Sequence, residues 1–189
     1  MTETRLSRPV SHSFRVRPAT VDDARAMSAI YAPFVEHTAI SFELIPPTAE
    51  EFAERIRHTA GELPWVAAET DEGLVGYAYA NRHQVRGAYR WSVDTSVYVT
   101  GQWHGRGVGL ALYHVLLDEL RTLGYVSAYA GITLPNTGSV SLHEKLGFVA
   151  IGCFPDVGFK QGCWHDVGWW HLALREPPLA PPEPARWNP

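Results

Sequence analysis

Hydrophobic positions recur along this chain with two alternating periods, and the changes from one to the other mark out its predicted elements. Phe14-Arg15-Val16-Arg17 alternates apolar and polar residues as a strand does. Thr20-Val21-Asp22-Asp23 then opens a helix that carries Ala24, Met27, Ile30, Tyr31 and Phe34 on one face. Pro46-Pro47 interrupts the chain, and Thr48-Ala49-Glu50-Glu51 reads as a capping box, in which a hydroxyl and a carboxylate three residues apart satisfy each other's backbone N–H groups. The helix it starts presents Phe52 and Ile56 and stops at Gly61. Two strand-like runs, Trp65 to Glu69 and Leu74 to Asn81, are joined by the turn Asp71-Glu72-Gly73, and Ser92 to Val99 is a third. Helical spacing returns over Val108 to Leu123, with Leu112, Leu116, Leu120 and Leu123 on one face and Gly124 as the stop signal. Tyr125 to Thr133 is a strand, Ser139 to Leu146 a short helix stopped by Gly147, and Phe148 to Phe154 with Cys163 to Leu174 a closing pair of strands. The order β-α-α-β-β-β-α-β-α-β-β, without internal repeat, predicts an α/β chain with an α+β mixed sheet.

Composition narrows the setting. Of 189 residues 46% are hydrophobic and 19% charged, enough apolar material for one core. The polar residues 1–13 and the proline-rich residues 176–189 are expected to be flexible tails outside that core, leaving 14–175 as one domain. A formal net charge of −4 supplies no global attraction to nucleic acid or to an anionic membrane, so neither is expected as a partner. Residues 1–13 lack the apolar segment of a signal peptide, and no run approaches the roughly 20 apolar residues of a membrane span; the expected location is cytoplasmic. Cys153, Cys163, His165 and His171 match no familiar zinc spacing, so no metal is expected.

The richest chemical signal is Gln102-Trp103-His104-Gly105-Arg106-Gly107-Val108-Gly109, placed between a strand and a long helix. Glycines at alternate positions let the backbone approach a bulky ligand and take positive φ. Successive N–H groups then converge on one spot with the positive end of the helix behind them, which makes an anion site for a pyrophosphate. The stretch lacks the Gly-Lys-Ser/Thr ending of a P-loop, and its glycine spacing is not that of the dinucleotide-binding turn.

This turn after the fourth strand, together with Asn136-x-x-Ser139-x-x-x-His143-x-x-x-Gly147-Phe148 after the fifth, resembles the GCN5-related N-acetyltransferase (GNAT) superfamily. Asp94 to Val99, Leu134-Pro135-Asn136, Leu142 to Phe148 and Gly162 to Gly168 look like its phosphinothricin N-acetyltransferase branch, over roughly residues 14–175. The resemblance implies a central twisted, mostly antiparallel sheet with splayed strands 4 and 5, flanked by helices. It implies acetyl-CoA as cosubstrate, with the pyrophosphate on His104, Gly105, Arg106, Gly107, Val108, Gly109 and Leu110 and the pantetheine arm along Val97, Tyr98, Val99, Asn136 and Ser139. His104 departs from the Arg or Gln usual at the start of the loop, which alters one side-chain contact and leaves the backbone cradle intact.

Acetyl transfer to an amine requires removal of a proton from the ammonium. On the resemblance, Asp94 is the candidate base, directly or through a water, where the branch usually has the longer Glu; burial among aromatics such as Trp91 and Tyr98 has to raise its pKa from about 3.9. His143 falls where the branch has a His and most of the superfamily a Tyr that protonates the leaving thiolate; as an imidazole it serves as acid or as an aligning group. The N–H of Tyr98 or Val99, freed by strand splaying, is the candidate oxyanion donor, Tyr98 being otherwise a core aromatic. Phe42, Arg82, Arg86 and Tyr89 are expected to line the acceptor pocket, the arginines matching the acidic ends of phosphinothricin or methionine sulfoximine. A homodimer is implied, and Phe159, Trp164, Trp169 and Trp170 supply the aromatic surface for it. The alternatives are acetylation of a protein or peptide amino terminus, and a silent acyl-CoA-binding module.

Overall fold

The computed structural model describes residues 13–59 and 61–188; the remainder of the expected amino-terminal tail, residues 1–12, lies outside the described residues. Seven strands form one open sheet: β1 (Arg15–Pro18), β2 (Trp65–Thr70), β3 (Gly73–Arg82), β4 (Ser92–Val99), β5 (Ser127–Thr133), β6 (Val149–Lys160) and β7 (Cys163–Ala173). Their spatial order is β1-β2-β3-β4-β5-β7-β6, and every neighbouring pair is antiparallel except β4 with β5. The helices are α1 (Ala24–His37), α2 (Ala49–Thr59), α3 (Val108–Leu123) and α4 (Thr137–Lys145). The element order is the one the hydrophobic pattern predicts.

The capping box ahead of α2 forms as its sequence dictates. Thr48 N–H donates to Glu51 at 2.7 Å, and Glu51 N–H donates to the Thr48 hydroxyl at 3.2 Å. Helix α3 runs between two glycines in the left-handed region, Gly107 (φ 83°) and Gly124 (φ 94°), where side-chain-bearing residues would be strained.

Strand alternation divides the core between the sheet's two faces. Helices α1 and α2 bury Met27, Ile30, Tyr31, Val35, Phe52 and Ile56 against Trp65, Ala67 and Tyr77. On the opposite face α3 lays Leu112, Tyr113, Leu116 and Leu120 over Val66, Ala78, Val93 and Ala128. Each fully buried Leu contributes about 1.5–3 kcal/mol relative to exposure, so the α3 row is the main anchor of that layer.

Two sequence expectations change. The closing hairpin is longer than Phe148 to Phe154 suggested, because β6 continues to Lys160 through a register shift between Phe154 and Gly158 with Asp156 at φ 48°. The proline-rich segment is not outside the core. Trp187 is 7% exposed within the α3-side cluster, Ala185 N–H donates to Leu123 O at 2.7 Å, and Trp91 Nε1–H donates to Pro182 O at 2.7 Å. No helix among the described residues is long and apolar enough to cross a membrane.

Candidate active site

The site begins where β4 and β5 stop pairing. Their parallel ladder covers only Ser92↔Ser127, Val93↔Ala128 and Asp94↔Tyr129, after which the strands diverge. The wedge left between them is a cleft of about 60 Å³ lined by residues 95–98 of β4, 130–133 of β5, Ile40, Tyr113, Asn136, Ser139 and His143. On its other side β4 stays in register with β3 through Gly76↔Val99. Thr100 N–H donates to Val75 O, and Ser92 O accepts from His83 N–H, so the even-numbered residues of β4 turn their backbone groups toward β3. The N–H groups of Val97 and Val99 therefore face the opening, whereas that of Tyr98 faces Tyr77. Of the two amides expected as oxyanion donor, that of Val99 is turned to the opening, with that of Val97 beside it. The Tyr98 ring packs in the aromatic wall, 4.8 Å from Tyr31 and 5.3 Å from Phe34.

The glycine loop joins β4 to α3. Gly105 (φ 72°) and Gly107 (φ 83°) hold positive φ, and a Cβ added at either meets nothing within 4 Å, so the space in front of both is open for a ligand. The first turn of α3 leaves the N–H groups of Val108, Gly109 and Leu110 without intrahelical partners. Gly109 serves a second purpose, since a Cβ there would press on Leu142 of α4 at 3.1 Å. His104, in the place of the usual Arg or Gln, bonds through Nε2 to Val99 O at 2.8 Å and so braces the loop against β4; Arg106 lies over the Trp103 ring. These residues fit a pyrophosphate held by backbone amides.

Asn136 caps α4, its side-chain oxygen accepting from Ser139 N–H at 3.1 Å. His143, one turn on, is 3% exposed. Its Nδ1 lies 2.7 Å from Ser139 O, which can only accept, so Nδ1 carries the proton and Nε2 accepts from the Tyr113 hydroxyl at 2.8 Å. Burial lowers the ring's pKa, the Ser139 carbonyl opposing this in part. Tyr113 also reaches Thr95 Oγ1 at 3.4 Å.

Asp94 and His143 lie on opposite faces of the sheet. Along β4, Val93 and Thr95 face α3, while Asp94, Ser96 and Tyr98 face the α1 and α2 side with Asn81, Tyr79 and Tyr77 of β3. Asp94 is not part of the cleft lining; it sits one residue beyond the closed end. Burial raises its pKa, partly offset by a 2.6 Å bond to Nδ1 of His83.

The expected acceptor residues do not gather at the cleft. Arg82 points to the α3 side, where Glu62 binds it at 2.7 Å. Arg82 and Arg86 line a separate hollow of about 270 Å³ with Tyr125 and residues 183–186, and the two hollows share no residue. Tyr89 packs its ring edge on His83 at 6.1 Å. Phe42 is 38% exposed and lies so close to β6 that a Cβ at Gly158 would clash with its ring at 2.2 Å. Sequence reasoning missed His83, Tyr113 and Tyr129. Tyr113 stands among leucines of an amphipathic helix and reads as core, and His83 sits in a polar run that reads as a turn. Among the described residues no group of three or more His, Cys, Asp or Glu is arranged to hold a metal.

A sheet wedged open beside a glycine-rich helix start, with a carboxylate at the closed end, is the architecture of an acyl-CoA-dependent transferase. The chain belongs to the GNAT acetyltransferases: residues 16–169 match the family described as Acetyltransferase (GNAT) domain. It is 37% identical over 178 residues to the phosphinothricin N-acetyltransferase of Streptomyces viridochromogenes, covering 94% of this chain and 96% of that one. It is 32% identical over 164 residues to the L-methionine sulfoximine/L-methionine sulfone acetyltransferase of Salmonella typhimurium, covering 85% of this chain and 95% of that one. Among solved structures, a GNAT superfamily phosphinothricin acetyltransferase from Sinorhizobium meliloti in complex with acetyl-CoA superposes with a TM-score of 0.83 at 31% identity, over 89% of this chain and 95% of that one.

Proposed function

We propose that this protein transfers the acetyl group of acetyl-CoA directly to the amine of a small amino acid whose side chain ends in an anionic or oxidised head, of the phosphinothricin, methionine sulfoximine or methionine sulfone type. The observation that carries the reading is the β4–β5 wedge, which has the glycine cradle at one end and the Asp94 carboxylate at the other, in a chain that covers nearly the whole length of relatives bearing those names.

In this reading Gly105 to Leu110 hold the pyrophosphate by their amides, and the pantetheine arm lies along Val97 to Val99 with Asn136 and Ser139 opposite. The Val99 N–H receives the thioester oxygen as it gains charge. The ammonium loses its proton at the Asp94 end. His143, neutral and bonded at both nitrogens, acts by holding the Tyr113 hydroxyl at the cleft and not as an acid in its own right. Phe42 and Tyr89 border the acceptor. Neither arginine is assigned to the acceptor: both line the separate hollow, and Arg82 is also neutralised by Glu62.

A cytoplasmic homodimer belongs to the same proposal. Strand β6 is the sheet's edge, and Val149, Ile151, Phe154, Val157, Phe159 and the facing Trp164 are all more than half exposed, an apolar face that a second copy would cover. Sedimentation should give a species of twice 21.0 kDa; a monomer at micromolar concentration contradicts the assembly.

The functional test is a kinetic screen of amines against acetyl-CoA, read by release of free thiol. Fast turnover is expected for the oxidised amino acids. A preference for peptides with a free amino terminus would move the assignment to amino-terminal acetylation, and no turnover with any amine would leave a silent binding module.

A further inference from the structure

Given the acetyltransferase reading, we infer that His83, oriented by Asp94, is the group that takes the proton from the acceptor ammonium. The two side chains meet at 2.6 Å, His83 Nδ1 to Asp94 Oδ1. An ionised carboxylate only accepts, so Nδ1 carries the proton and Nε2 keeps its lone pair; no hydrogen-bond partner of Nε2 is found among the described residues. The ring is held on its other sides as well. It stacks on Tyr129 with centroids 4.4 Å apart and planes 21° apart, and the edges of Tyr89 and Trp169 approach at 6.1 Å each.

Position supports the role. Asp94 and Tyr129 are opposite each other in the last paired rung before β4 and β5 diverge. A ring fixed on both of them therefore sits at the closed end of the wedge, on the face of the sheet that carries Ser96 and Tyr98. The carboxylate is the short one, Asp, and neither it nor His83 lines the cleft itself; the pair stands just beyond the closed end. A neutral imidazole nitrogen with a free lone pair is a group that can accept a proton from an ammonium and release it again. A carboxylate behind it fixes the tautomer and stabilises the imidazolium, as in the carboxylate–imidazole half of a catalytic triad. The other titratable groups around the ring are the phenols of Tyr89 and Tyr129 and, packed on the far side of Tyr129, His171.

The proton balance closes without any further reactant. The ammonium gives one proton to Nε2, forming an imidazolium beside the Asp94 carboxylate, and the freed amine attacks the thioester carbon. The C–N bond forms and the C–S bond breaks. The second amine proton leaves with the CoA thiolate as the thiol, and the imidazolium, on a side chain 20% exposed, returns its proton to solvent.

The test compares His83→Gln and His83→Ala with the wild type whose thiol release has first been demonstrated. Both variants should lose about 10²-fold or more in kcat/KM for the acceptor, with KM for acetyl-CoA held within about threefold. His83→Gln should lose the acid limb of the pH profile, and added free imidazole should restore part of the rate to His83→Ala. Turnover of His83→Gln within about threefold of wild type, with an unchanged acid limb, would overturn the inference. A loss in His83→Ala that imidazole does not relieve would overturn it too, leaving Asp94 as the acceptor and His83 as its support. Absence of thiol release by the wild type would instead overturn the acetyltransferase reading itself, and is read before any variant is compared.

Discussion

The Tyr113 hydroxyl lies 2.8 Å from Nε2 of His143, while Nδ1 of the same ring lies 2.7 Å from the Ser139 carbonyl. Burial favours the neutral ring, whose Nε2 accepts from that hydroxyl; a second ring proton would oblige the hydroxyl to turn its hydrogen to Thr95 Oγ1, 3.4 Å away. Burial lowers the pKa of His143 below the ordinary histidine value of about 6.5. As pH falls below that value the unfolded chain takes up the proton first, so the stability tied to the neutral ring is complete above 6.5 and is lost progressively below it. Wild-type Tm should therefore decline on acidification through this window more steeply than that of His143→Gln. Parallel Tm profiles for the two proteins would show that the ring is not held neutral.

Gly107 sits at φ 83° with nothing within 4 Å of where its Cβ would be. A valine there carries the cost of a left-handed conformation, of order 1–3 kcal/mol, and intrudes on the open space before the loop without clashing in the core. Gly107→Val should stay folded and bind acetyl-CoA at least about tenfold more weakly in calorimetry. Unchanged affinity would remove the pyrophosphate cradle from the account.

Arg82 is committed to Glu62 on a largely exposed surface, its side chain 65% exposed. Arg82→Ala should change stability by less than about 1 kcal/mol and leave KM for the acceptor within about threefold. A large rise in acceptor KM with acetyl-CoA KM unchanged would return Arg82 to the acceptor site.

The sequence pattern located the frame of this site and missed its contacts. Strand β4 and helix α3 fall on the predicted residues, because alternation ends and helical spacing begins across a glycine loop with no ambiguity of period. Alternation lapses after Phe154, at Pro155-Asp156, and the pairing with β7 is what shows that the strand resumes beyond a bulge. The sides of Arg82 and Asp94 follow from parity: Arg82 is one residue past Asn81, which pairs with Asp94, so the two point to opposite faces. That parity was available from the strand register but not from residue type, which alone suggested arginines in the pocket. The His83–Asp94 pair joins residues eleven apart across a turn, with no spacing rule to announce it.

Trp187 ties the carboxyl-terminal segment into the α3-side core, beyond the reach of any pattern argument from a proline-rich stretch. Trp187→Ala should destabilise the fold by about 3–5 kcal/mol in denaturant unfolding, as should removal of residues 176–189. A loss below about 1 kcal/mol would mean that the segment is merely laid on the surface.

The central claim is chemical, and the most direct measurement is the mass of the product. Purified protein is incubated with acetyl-CoA and methionine sulfoximine or phosphinothricin, and amine and thiol are followed together. The account predicts equimolar formation of the N-acetylated amino acid and free CoA, at a rate that falls about 10²-fold in Asp94→Asn. Thiol release without an acetylated amine, or a product formed equally well by Asp94→Asn, would contradict it.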